Sequence, residues 1–157
     1  MTEQELSMPV ISLDSDTLYR ADVLGIARNC ADQNLNGIVC FDVDPNTKPI
    51  YSYVSLNQNN IVTEIREKVA ISNHANTGAY IFRSGKLLRS ECEKLLSQGV
   101  ASLGEYYTSN VIAQMIQQSN EQFLAAIIDE QDFSCLGTPA QLKSFLQLIK
   151  QGQVQCR

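Results

Sequence analysis

The chain predicts an α/β fold with a mostly parallel sheet and one antiparallel hairpin, on three observations. Short apolar runs of strand length alternate along the sequence with amphipathic helical segments. Two strand-like runs between residues 49 and 65 are joined by a short polar cluster, which is a hairpin signal. The composition of the 157 residues, 44% hydrophobic and 18% charged, suits one globular domain with a full-sized core rather than a disordered or fibrous chain.

Residues 1–8 read as a polar leader, 9–152 as a single domain and 153–157 as a tail. Pro9 to Leu13 is a compact apolar run ending in Asp14-Ser15-Asp16-Thr17, which suits a buried strand whose acids project from its C-terminal end. Asp22 can cap a helix with Val23, Leu24, Ile26, Ala27, Cys30 and Ala31 on its inner face. Gln33 to Gly37 stops that helix, and Ile38 to Val43 is the next strand. Asp44-Pro45-Asn46-Thr47 reads as a turn. Pro49 to Leu56 and Ile61 to Ile65 then form the hairpin around Asn57-Gln58-Asn59-Asn60.

Gly78 to Phe82 predicts another strand. Leu87, Leu88, Cys92, Leu95 and Leu96 fall on one face of a helix that stops near Gly99, and a second helix over Thr108 to Gln118 buries Val111, Ile112, Met115 and Ile116. Phe123 to Ile128 is a core strand, and Phe133 to Leu136 a short one. The last helix carries the fullest set of signals. Thr138 is its N-cap, Pro139 suits its first turn, Gln141 completes a capping box, and Leu142, Phe145, Leu146 and Ile149 share one face.

Composition excludes several functions. Twelve basic against seventeen acidic side chains give a formal charge of −5, and the basic residues form no cluster that could follow a phosphate backbone, so nucleic acid is not an expected partner. No apolar run approaches the roughly 20 residues that span a bilayer, and the opening residues have no signal-peptide pattern. A cytoplasmic protein with no membrane partner is expected. Five cysteines and the single His74 show neither disulfide nor zinc spacing, so the thiols read as core residues.

Two carboxylates one residue apart at a strand end suit Mg²⁺, which takes hard oxygen ligands, although the same spacing also serves turns and helix caps. They also invite comparison with phosphatases of the haloacid dehalogenase type, but Leu18 stands where those enzymes carry Thr or Val. Glu67-Lys68 closes the second hairpin strand, and Asn76-Thr77-Gly78 opens the next. An acid, a cation and an amide at neighbouring strand ends can bind sugar hydroxyls and a phosphate, or can simply be solvated.

Five segments in order resemble the sugar-phosphate nucleotidyltransferases, the family of glucose-1-phosphate thymidylyltransferase and N-acetylglucosamine-1-phosphate uridyltransferase. Leu13-Asp14-Ser15-Asp16-Thr17 is similar to the strand ending in the metal-binding Asp, and Glu67-Lys68 to the Glu-Lys-Pro sugar element. Ala75-Asn76-Thr77-Gly78-Ala79-Tyr80-Ile81-Phe82 is similar to the Asn-Thr-Gly-x-Tyr strand. Gly104-Glu105-Tyr106-Tyr107-Thr108 resembles the segment closing over the sugar, and Leu136-Gly137-Thr138-Pro139 the Gly-Thr-Pro turn.

The resemblance implies that Asp16 holds Mg²⁺ with Asp14 nearby, that Glu67 and Asn76 bind sugar hydroxyls, and that Lys68 approaches the sugar phosphate. It places the Gly78 backbone against the sugar and Glu105 on its far side. The implied reaction is attack of a sugar 1-phosphate oxygen on the α-phosphorus of a nucleoside triphosphate, releasing pyrophosphate, as in nucleotide sugar biosynthesis. No residue is singled out as catalytic.

There are departures from the family pattern. The eight glycines, at positions 25, 37, 78, 85, 99, 104, 137 and 152, form no Gly-rich triphosphate loop. Val69 replaces the Pro after Glu-Lys, and Cys135 stands near the position of a late oxygen ligand for the metal. The resulting expectation is a partial nucleotidyltransferase-like, Rossmann-like mixed sheet flanked by helices, lacking the N-terminal nucleotide-binding half. Such a domain would bind a sugar 1-phosphate and be inactive alone, accepting a nucleoside triphosphate only with a complementary half. The alternatives are a non-catalytic sugar-phosphate or protein-interaction module, and a phosphatase-like use of Asp14 and Asp16. An uncharged apolar edge at Val10 to Leu13 further predicts a homodimer.

Overall fold

The longest strand organises the sheet. In the computed structural model, which describes residues 2–44, 46, 48–99 and 104–152, this strand runs His74–Phe82 and every residue after His74 is buried. In chain order the elements are α1 (Glu3–Leu6), β1 (Val10–Leu13), β2 (Thr17–Tyr19), α2 (Val23–Asp32), β3 (Asn36–Asp42), β4 (Ser52–Leu56), β5 (Val62–Glu67) and β6 (His74–Phe82). There follow α3 (Gly85–Gln98), α4 (Thr108–Gln118), β7 (Phe123–Ile127), a 3-10 turn (Glu130–Asp132), β8 (Phe133–Cys135) and α5 (Pro139–Lys150).

The main sheet has the order β5-β4-β6-β3-β7, with β1 also paired to β6, while β2 and β8 form a separate antiparallel ribbon. This mixed sheet agrees with the one implied by the family resemblance and corrects the expectation of mostly parallel pairing drawn from the alternation of elements. Among the described strand pairs of this sheet only β3–β7 is parallel; β1–β6, β3–β6, β4–β5 and β4–β6 are antiparallel. Apolar runs buried on both faces resemble parallel strands in sequence whichever way they pair, so composition does not reveal direction. β1 is likewise half-buried rather than buried, with Leu13 50% exposed, because its outer edge has no partner strand among the described residues.

Strand alternation divides the core. Ile38, Cys40, Tyr80 and Phe82 face α3 and α4, meeting Leu95, Ile112 and Met115, whereas Val39, Ala79 and Ile81 face α2 through Val23 and Cys30. Leu24 and Ala31, expected on the inner face of α2, are exposed, since the helix buries a narrower stripe. Residues 3–6 of the leader form a helical turn: Leu6 is buried, and Glu3 pairs with Lys86 at 2.9 Å. The expected helix over 108–118 and the Gly99 stop, at φ +66°, are both present. Pro45 and Thr47 of the expected turn and the tail 153–157 lie outside the described residues.

Candidate functional site

Pairing between β3 and β6 slips at the middle of both strands. Val39 faces Ala79 but Cys40 faces Asn76, so Thr77 and Gly78 bulge out of the ladder. On the other side of β6, β4 pairs at Ala75 and β1 at Ala79 to Phe82, leaving Asn76, Thr77 and Gly78 between the two. Here the sheet opens into a cleft of about 400 Å³, whose walls include Asp14, Asp16, Glu67, Asn76, Gly78, Tyr107 and Gly137. Each of the five sequence segments contributes at least one residue to it.

Two glycines let the acids in. Gly78 has φ +89°, and a Cβ there would overlap the Asp14 carboxylate; the Asp14 N–H in turn donates to the Gly78 carbonyl at 3.0 Å. A Cβ on Gly137 would overlap the Asp16 carboxylate, and the Leu136 N–H donates to the Asp16 carbonyl at 2.7 Å. The β2–β8 register, Thr17 opposite Cys135, thus locks Asp14-Ser15-Asp16 beside the Gly-Thr-Pro turn. Thr138 caps α5 by accepting from the Gln141 N–H at 3.2 Å.

Burial, reinforced by the neighbouring Asp16 and Glu67 carboxylates, raises the Asp14 carboxyl above its ordinary value. Among the described residues lining the cleft there is no Lys, Arg or His to offset these acids. No three His, Cys, Asp or Glu side chains among the described residues are arranged to enclose a metal by themselves. The hard-oxygen donors Asp14 and Asp16 nonetheless fit Mg²⁺, which is commonly held by one or two carboxylates with the rest of its shell completed by water and substrate phosphate. Cys135 also lines the cleft, with a soft sulfur in place of a third oxygen.

Asn76 is only 3% exposed. Its Oδ1 accepts from the Gly78 N–H, while its Nδ2 has no partner among the described residues. Glu67 accepts from the Ser109 hydroxyl at 2.7 Å. Tyr19 steadies the bulge from behind, its hydroxyl donating to the Thr77 carbonyl at 2.8 Å, and burial pushes that phenol up to about 12.

The structure therefore brings Asp14, Asp16, Glu67, Asn76 and Gly78 together, but Lys68 and Glu105 do not line the cleft. Lys68 adopts φ +54°, and its Nζ is 2.9 Å from the Tyr107 hydroxyl and 4.7 Å from the Tyr107 ring centre. The Tyr107 hydroxyl donates to Glu105, so both charged residues sit on the rim, joined through an aromatic side chain that does line the cleft. Ser109 and Tyr107 were not expected as site residues. Tyr107 lies inside the quoted Gly104–Thr108 segment, whereas Ser109 carries no signal beyond its place in the first turn of α4.

Residues 1–129 match the nucleotidyl transferase family. No curated protein sequence matches the chain. Among solved structures, it resembles a nucleoside-diphosphate-sugar pyrophosphorylase from Vibrio cholerae RC9, with a TM-score of 0.71 at 18% identity, covering 88% of this chain and 56% of that one. UDP-glucose pyrophosphorylase without ligand gives a TM-score of 0.73 at 12% identity, covering 94% of this chain and 56% of that one. A UDP-glucose pyrophosphorylase complexed with UDP-glucose gives 0.72 at 14%, covering 92% of this chain and 57% of that one. At these identities the likeness establishes the fold, and this chain spans little more than half the length of each of those three.

Proposed function

The chain belongs to the nucleotidyl transferase family, and from that membership we propose that its cleft receives a sugar 1-phosphate, without transferring nucleotidyl groups on its own. The observation that carries this reading is the Asn76 amide. A buried donor with no partner destabilises a fold by about 1–3 kcal/mol, a penalty that a ligand acceptor in the cleft would relieve. Glu67 offers an acceptor in the same cleft, so a hydroxyl could accept from Asn76 and a neighbouring one donate to Glu67. Vicinal hydroxyls of a sugar ring match that demand.

In this reading Asp14 and Asp16 hold Mg²⁺, which when bound supplies the positive charge a phosphate needs and the cleft walls lack. Lys68, parked against Tyr107, adds charge only at the rim. Gly78 keeps the floor open, and Glu105 reaches the ligand only through Tyr107. A nucleoside triphosphate would need a complementary half with its own phosphate donors, because the scattered glycines form no loop to cradle one. Membership of the nucleotidyl transferase family supports this reading over a phosphatase-like use of Asp14 and Asp16.

The test is an NMR titration with glucose 1-phosphate and Mg²⁺. The expected result is shifts centred on Asn76, Glu67 and Gly78, weakened by Asn76→Ala and, with Mg²⁺ present, by Asp16→Asn. Shifts confined to another surface would overturn the reading. Incubation with nucleoside triphosphates should release no pyrophosphate above blank; release that depended on Asp16 would contradict the proposed inactivity.

A further inference from the structure

We propose that Ser109 is a positioning residue that fixes the Glu67 carboxylate for ligand binding, an inference that rests on the sugar-phosphate reading above. Glu67 stands between two spaces. It lines the cleft, and it also lines a second cavity of about 570 Å³ bounded by Ile65, Arg66, Val69, Ser109 and Ala113. A carboxylate at the end of a strand with room on both sides has alternative rotamers, and its electrostatic surroundings do not favour the productive one. Asp14 and Asp16 share the cleft side with it as like charges, while Arg66 borders the other cavity. That guanidinium is already engaged with Glu64 at 2.6 Å.

Ser109 opposes this tendency. It is 2% exposed, fixed in the first turn of α4, and donates to Glu67 Oε2 across 42 residues of sequence. A hydroxyl held by a helix is already placed before the ligand arrives, so little further ordering is needed on binding. With Oε2 occupied, Oε1 remains to accept from a ligand hydroxyl. Hydrogen bonds to a charged group are the stronger kind, and losing this one frees the carboxylate to turn away from the two aspartates.

The experiment titrates the full chain, in Mg²⁺, with glucose 1-phosphate by calorimetry. Ser109→Ala should weaken binding about tenfold, and Ser109→Thr, which keeps the hydroxyl, should restore it. In a Glu67→Gln background the Ser109→Ala change should add less than about twofold, because the two act as one unit. Independently of ligand, Ser109→Ala should move the side-chain carboxyl ¹³C resonance of Glu67. Wild-type protein that bound no sugar phosphate would overturn the functional reading and this inference together. Wild-type binding with an unaffected Ser109→Ala variant, or full additivity of the two changes, would overturn this inference alone.

Discussion

Gly78 is the residue on which the cleft turns. Its φ of +89° already disfavours any side chain, and the Asp14 carboxylate occupies the space a Cβ would need. Gly78→Ala should therefore destabilise the chain by about 1–3 kcal/mol through backbone strain, and displace Asp14 as well, which urea unfolding and NMR can follow separately. Asp14 itself opposes folding when ionised. Because burial and the Asp16 and Glu67 carboxylates raise its pKa in the fold, folding favours its protonated form. Its favourable contribution is complete below the ordinary carboxylate pKa and is lost as pH rises through the folded value. Asp14→Asn should thus raise the metal-free unfolding midpoint at pH 7, with the gain vanishing in acid, while weakening Mg²⁺ binding. A variant equally stabilised at pH 3 and pH 7 would contradict this account. These two residues also show what the sequence could reveal. The motif around Asp14 and the Asn-Thr-Gly spacing could be read directly, but the contact between their carboxylate and glycine spans 64 residues and depends on a bulge that no local pattern announces.

Elements bounded by caps were legible because their signals are local. Asp22 caps α2 through the Gly25 N–H at 2.8 Å, Ser84 caps α3, and Thr138 caps α5. Thr138→Ala should lower stability by about 1 kcal/mol in urea unfolding, without altering the Asp16 environment by NMR; a coupled loss of both would mean that α5 and the Gly137 turn fold as one unit. The three-residue strands β2 and β8 were harder to foresee, being too short for a periodic signal, and only the second was anticipated. Sheet ends show a further dependence on distant contacts. Asn36 at the start of β3, Arg83 just after β6 and Glu121 just before β7 meet, with Arg83 Nη2 2.7 Å and Asn36 Nδ2 2.9 Å from the carboxylate. The Arg83 hydrogen bond, with help from Asn36, holds the Glu121 carboxyl below its usual range. That stabilisation is present above the ordinary carboxylate pKa and is lost as pH falls through the lowered value. Glu121→Gln should destabilise by about 1–3 kcal/mol at pH 7, with the difference from wild type narrowing as the pH is taken below about 4; a constant difference across that range would assign the effect to packing instead.

For the whole molecule, five short segments scattered from residue 13 to residue 139 converge on one cleft, so the architecture of the site was legible in their order. The rim was not, because whether Lys68 points into the cleft or onto Tyr107 is a choice among rotamers, and residue spacing does not encode it. The sheet edge beside the cleft leads to the last expectation. Among the described residues β1 bonds to β6 on one side only, pairing Val10 with Phe82 and Leu13 with Ala79, and presents an edge in which no charged residue interrupts Val10-Ile11-Ser12-Leu13. Met8 and Leu13 are each about half exposed, and an apolar groove of about 330 Å³ adjoins the strand, walled by Ser12, Phe82, Leu88, Leu96 and Tyr106. Unpaired backbone groups flanked by exposed apolar side chains favour pairing with another strand, and nothing in this segment opposes it. An antiparallel strand can satisfy itself about a two-fold axis, so the expected occupant of the edge is a second copy of this chain with its β1 laid against the first. Light scattering at micromolar concentration should then report twice the mass of the 157-residue chain. Leu13→Lys is the informative variant, since Leu13 is exposed whereas Ile11 packs against the α2 side of the core. It should shift the protein toward monomer while leaving the unfolding transition cooperative. A wild-type monomer at that concentration, or a dimer indifferent to the charge at position 13, would show that β1 remains an open edge and that association, where it occurs, uses another face.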